Sequence, residues 1–183
     1  QLYCTGDTDK AYEFINDMTI NLIPVADKDP YWDYSSRDLL FGLILLLFKI
    51  CNTMKLSDEL VNMQGVLRLR EELFIAADSD RIQRSELWQF AKEDAFIRVR
   101  LIGTVICPEK TMSCILSTFD QHMSCFSLQP KVVEMLSCSS FDLNDIGFTK
   151  SAIFLIMPDE KTTFHKIISI FLKQIYEMLI DNA

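Results

Sequence analysis

Ten consecutive residues from Leu39 to Phe48 read LLFGLILLLF, and this run restricts the fold more than any other stretch of the chain. As a helix it would be about 15 Å long, roughly half of a bilayer's hydrocarbon core. Arg37, Asp38 and Lys49 close in on both ends, so a membrane span is the weaker alternative. A helix that is apolar on every side yet this short has no face to give to water and belongs at the centre of a protein. The rest of the chain is therefore expected to supply amphipathic helices that wrap it.

The pattern elsewhere fits that demand. From Asp7 to Ile23, the residues Ala11, Phe14, Ile15, Met18 and Leu22 recur at steps of three and four, with Asp7 or Thr8 as N-cap, and Pro24 closes the helix. Asp29-Pro30 is the expected start of the next helix, with Asp at the cap and Pro at the first helical position; it carries Trp32 and runs through the apolar stretch to about Asn52. Ser57-Asp58-Glu59 offers a third start, with Leu60, Met63, Leu67 and Phe74 beyond it, and Ser85-Glu86 caps a helix through Leu87, Trp88, Phe90 and Ala91. Pro108 opens a long helix with Met112, Ile115, Leu116, Phe119, Met123 and Phe126 on one face, and Pro130 opens a short one.

After the turn-rich SSFDLNDIG comes a single expected strand, Ala152 to Met157, and then a helix from about Thr163 with Ile167, Ile168, Phe171, Leu172, Ile175, Tyr176, Leu179 and Ile180 as its apolar positions. The strand is apolar at nearly every position, the pattern of a strand covered on both faces in a parallel sheet, and no other strand in the sequence pairs with it. The fold class is thus mainly α: a helical bundle followed by a C-terminal strand-helix piece.

Composition narrows the chemistry. A net charge of −8 and a pI near 4.7 give no chain-wide attraction to nucleic acid or anionic lipid. Six cysteines (Cys4, Cys51, Cys107, Cys114, Cys125, Cys138) are irregularly spaced behind no secretory signal, and read as reduced, mostly buried thiols. The chain starts at Gln1 and ends just after a helical run; both ends are expected to be cut, as in an excised domain.

Three chemical candidates remain. Asp159-Glu160 follows an apolar strand, as the magnesium-holding acid of many nucleotide hydrolases does. Here Pro158 intervenes and no G-x-x-x-x-G-K-[ST] loop accompanies it, so turn and helix start is the preferred reading. Cys114, His122 and Cys125, with Cys107 upstream, offer thiol or metal chemistry, but their spacing fits no zinc module and buried thiols are preferred. His165 has no nucleophile near it in sequence, and Thr162 and Thr163 read as helix caps. The third candidate is a local basic surface. Arg68, Arg70, Arg81, Arg84, Arg98 and Arg100 fall in one third of the chain, with Trp88 and Phe96 among them, a mixture suited to phosphate contact and base stacking. Glu71, Glu72, Asp78, Asp80, Glu86, Glu93 and Asp94 lie in the same region, so a salt-bridged, solvated surface is the competing reading.

Two ordered blocks carry a family resemblance. DKDPYWDYSSRDLLFGLILLLF contributes Asp29, Pro30 and Trp32; the second block contributes Ser140, Phe141-Asp142-Leu143, Asp145-Ile146, Lys150 and Pro158-Asp159. In this order they resemble the type IV secretion coupling proteins of the TraG/TraD conjugation ATPase class. The resemblance implies an all-α domain inserted in a RecA-like ATPase core. Residues 1–28 would lead in from the core, 29–147 would form the all-α domain, and 148–183 would return as strand and helix. It implies a module that recognises substrate or relaxosome and has no catalytic residues of its own. ATP and magnesium would be expected only of the full-length protein. Partners would be a relaxase or relaxosome proteins, single-stranded DNA, and neighbouring subunits. The location implied is cytoplasmic, on a protein anchored at the inner face of the bacterial membrane, with no membrane contact by this fragment. The partner surface is placed at Arg81, Arg84, Trp88, Arg98 and Arg100. The rivals are a nucleotide hydrolase fragment using Asp159-Glu160, a thiol enzyme using Cys125 and His122, and a purely structural bracing domain.

Overall fold

A helix with no polar side has to be surrounded, and the order of elements shows how. The computed structural model describes residues 8–127, 130–137, 148, 150, 152–156 and 163–181. Along the chain it contains α1 (Thr8–Leu22), α2 (Tyr31–Met54), α3 (Met63–Leu73), α4 (Ser79–Arg84), α5 (Glu86–Lys92), α6 (Ala95–Ile106), α7 (Glu109–Ser127), α8 (Pro130–Ser137) and α9 (Thr163–Asp181). A short 3-10 turn, Asp58–Leu60, precedes α3. The chain divides into two compact units, Gln1–Ser137 and Cys138–Ala183.

In the first unit α2 is the axis. Every residue from Leu39 to Leu47 is buried, and α1, α3, α6 and α7 all pack against the helix. Among the described residues no helix is long and apolar enough to cross a membrane. Lys49 ends the buried run: its Nζ donates to the Phe90 carbonyl at 2.6 Å and lies 4.3 Å from the Phe90 ring centroid. The stem thus stays among apolar groups while the charge reaches the α5 end and Glu93, 3.7 Å away. The expected face of α7 is buried in full, from Met112 through Phe126.

Helix starts in the middle of the chain are set by side-chain caps. Asn62 accepts from Gly65 N at 3.0 Å, Asp78 from Asp80 N at 2.9 Å, Ser85 from Trp88 N at 3.2 Å and Asp94 from Phe96 N at 2.9 Å. The third helix therefore begins after Asn62 and not at Ser57-Asp58-Glu59, where only the 3-10 turn forms. Helices α4 and α6 were not read from the sequence. AFIRVRLIGTVI is rich in β-branched residues, yet Asp94 caps it and α2 receives its Ile97, Leu101, Thr104 and Val105 face.

Gly42 makes that approach feasible. A Cβ there would lie 2.5 Å from Leu101 Cδ2 and 2.6 Å from its Cγ. The start of α2 also differs from expectation. Asp29 has φ 54°, Pro30 is helical (φ −65°, ψ −10°), and no side chain caps the helix. Asp29 closes the preceding turn in the left-handed region instead of taking the extended conformation that a cap needs.

In the second unit α9 forms where expected, and its described side chains are half-buried or exposed. The strand expected over Ala152–Met157 is not formed at 152–156, which carries no regular secondary structure and exposes Ile153, Phe154, Leu155 and Ile156. A strand needs neighbours for its backbone N–H and C=O groups, and among the described residues there is no other strand. Met157 and Pro158-Asp159-Glu160 lie outside the described residues.

Candidate functional site

The basic region is built on three short consecutive helices, each restarted by a cap. Asp78 and Ser85 open α4 and α5, and Asp94 opens α6. α4 packs on both α5 and α6, so the helix carrying Arg81 and Arg84 adjoins the one carrying Arg98 and Arg100. Capping sets the phase of each helix. On α4 it turns Ile82 inward and leaves Arg81 and Arg84 exposed; on α6 it turns Ile97 and Leu101 inward and leaves Arg98 and Arg100 exposed.

The same phase removes Trp88 from the surface. Its residue is 4 % exposed, and with Ala91 it forms the buried side of α5. Trp88 is a packing residue; an indole at that depth offers no ring face for stacking. Arg100 is partly engaged within the fold: Nη1 donates to Asp38 Oδ1 at 2.6 Å and the guanidinium lies 4.5 Å from the Phe41 centroid.

Arg81, Arg84 and Arg98 make no ion pair among the described residues. Asp80 and Glu86 are exposed beside Arg81 and Arg84, but three of the other acids interspersed with them in sequence have other work. Asp78 and Asp94 accept helix N-terminal amides, and Glu93 faces Lys49. Of the earlier pair, Arg70 Nη2 donates to Asp120 on α7 and Arg68 is exposed. A fully salt-bridged surface is therefore not what these residues form. Three guanidinium groups without an ion pair among the described residues remain on two adjoining helices, an arrangement suited to carboxylate or phosphate groups.

The thiol and metal candidates come apart. Cys125 is buried, Cys114 is exposed, and Cys107 donates to the Thr104 carbonyl at 3.2 Å while burial pushes its thiol pKa up. Cys107 and Cys114 are free thiols, and Cys51 is buried. His122 Nε2 donates to Asp33 Oδ1 at 3.0 Å. The partner that the geometry shows for His122 is thus a carboxylate on α2, and Cys125 is buried. Among the described residues no three His, Cys, Asp or Glu side chains are grouped as metal ligands. His165 is exposed on α9. Asp159-Glu160, Cys4 and Cys138 lie outside the described residues.

Two features were not read from the sequence. One is the Asp33–His122 joint between α2 and α7, which no local pattern announces because the partners are 89 residues apart. The other is the outward side of α6, where Phe96, Val99 and Ile106 are exposed. A 3.6-residue wheel over residues 95–106 has two apolar faces, and only the packing against α2 decides which of them turns outward.

A family model for type IV secretory system conjugative DNA transfer matches residues 4–183. No curated protein and no solved structure matches the chain.

Proposed function

The chain belongs to the type IV secretory system conjugative DNA transfer family, and we propose that its helical unit is the substrate- or relaxosome-recognising module of a coupling protein in that transfer. The observation that carries this is the exposed set Arg81, Arg84 and Arg98, left without ion pairs among the described residues while Asp78 and Asp94 serve as caps. In a protein of net charge −8, such an island is the place where an acidic partner surface gains most from approach. On this reading the fragment binds and does not catalyse, and nucleotide turnover with ATP and magnesium belongs to a RecA-like core to which residues 148–183 return. The partners are a relaxase or other relaxosome protein, with single-stranded DNA and adjacent subunits as further contacts. The module works on the cytoplasmic side of the membrane that anchors the whole protein.

Charge reversal tests it. Arg81→Glu, Arg84→Glu and Arg98→Glu together should weaken binding of the cognate relaxase by about tenfold or more, equivalent to roughly 1.4 kcal/mol, in a titration at low ionic strength. Unchanged relaxase and single-stranded DNA binding would reject this placement. Arg100→Glu is a poorer probe because it also breaks the Asp38 pair.

A further inference from the structure

Helix α6 breaks the usual rule for a surface helix. Its inner face, Ile97, Leu101, Thr104 and Val105, is buried. The opposite face, reached at steps of three, four and three, is Phe96, Val99, Gly103 and Ile106, where water-facing polar residues are expected. Phe96 is 60 % exposed, Val99 68 % and Ile106 57 %. At Gly103 a Cβ would meet nothing within 4 Å, so the stripe has a notch near its middle that lets another backbone come close. A helix apolar on both faces is normally covered on both.

The charges say what covers it. α6 contains no acid, and its only ionic side chains are Arg98 and Arg100, one along each edge of the stripe. Arg100 is tied to Asp38, while Arg98 makes no ion pair among the described residues. The adjoining α4 adds exposed Arg81 and Arg84 against one exposed acid, Asp80, and so is net positive. Taking this region as the partner surface, as above, we propose that the outer side of α6 is the docking site for an amphipathic helix of a partner protein, laying its apolar face on Phe96, Val99 and Ile106 and its acidic edges against the arginines.

Two other occupants fit less well. A second copy meeting this stripe with its own would place the same arginine-edged patches against each other, and like charges oppose that contact. Single-stranded nucleic acid binds on several stacked aromatics. This stripe has one, and the Phe96 ring already contacts Tyr12, with 5.0 Å between centroids.

The test uses the whole chain and a labelled synthetic amphipathic helix with leucine along one face and glutamate at both edges. Fluorescence anisotropy should show saturable binding that added salt weakens. A lysine-edged counterpart should bind about tenfold or more weakly. Val99→Glu and Gly103→Leu should each abolish binding while circular dichroism stays that of the parent; both positions point into open space, so neither change disturbs the core.

Absence of binding, equal binding of the two peptides, or binding indifferent to both substitutions would overturn the proposal. So would sedimentation showing that the chain alone self-associates through a contact that Val99→Glu removes, or preferential binding of a thymidine oligonucleotide lost in the same variants. If the relaxase binds through the arginines but ignores Val99→Glu and Gly103→Leu, recognition stands and this site falls. If the glutamate-edged helix binds and the relaxase does not, the reverse holds.

Discussion

Asp33 joins three parts of the chain through one carboxylate. Oδ2 accepts from Ala26 N at 2.9 Å, which secures the turn between α1 and α2, and Oδ1 accepts from His122 Nε2 at 3.0 Å, which ties α2 to α7. The Ala26 amide above all, then His122, holds its pKa below the ordinary carboxylate value against the opposing effect of burial. A depressed carboxyl pKa means that the unfolded chain binds the proton more readily. The stabilisation is therefore present at pH above the unfolded carboxylate's pKa and is lost as pH falls through the lower folded value. Asp33→Ala should lower the unfolding free energy by about 1.5–3 kcal/mol at neutral pH, and the gap from the parent should close in acid. Urea denaturation of both proteins across pH measures it. Taking the difference removes the contribution of Asp120, whose pKa burial raises and which slopes the other way. In sequence, Asp33 reads only as one acid in DPYWDYSSRD. Trp88 carries the same lesson: an aromatic among arginines looks like a stacking group until the Ser85 cap fixes the phase of α5 and turns it inward.

At the scale of elements, two glycines in helices separate packing from propensity. Gly42 sits where α2 meets α6, with Leu101 already inside the space of a Cβ. Gly42→Ala should therefore destabilise by about 1–3 kcal/mol through overpacking, despite alanine's better helix propensity. Gly103 faces outward with nothing in reach, so Gly103→Ala should stabilise by about 0.5–1 kcal/mol. Thermal melts of the two variants should move in opposite directions. The faces of α7 and α8's start at Pro130 were legible because periodicity and start signals agreed. α6 was not, because its β-branched residues and two apolar faces blur any period. Its helical state follows from the Asp94 cap and from the α2 surface that receives it.

Over the whole molecule, the helical unit is organised around one helix against which α1, α3, α6 and α7 pack. Leu43, fully buried at its middle, should cost about 2–5 kcal/mol when changed to alanine, read as a lower midpoint in chemical denaturation, because neighbours on every side leave little room to collapse into the cavity. That centre was determined by sequence alone: a run apolar in all directions has no orientation that suits water, so burial is its one solution whatever surrounds it. The amphipathic face of α7, the cap at Ser85 and the helix start at Pro130 were determined in the same way, by forces acting within a few residues. Tertiary structure decided the rest. It set the Asp33–His122 joint, the contact of Gly42 with Leu101, the burial of Trp88 and the apolar face that α6 turns outward, since each depends on which distant elements become neighbours. The residues 152–156 show the same dependence from the other side: their apolar pattern suits a sheet, but strand structure requires partner strands, and a local pattern cannot supply them.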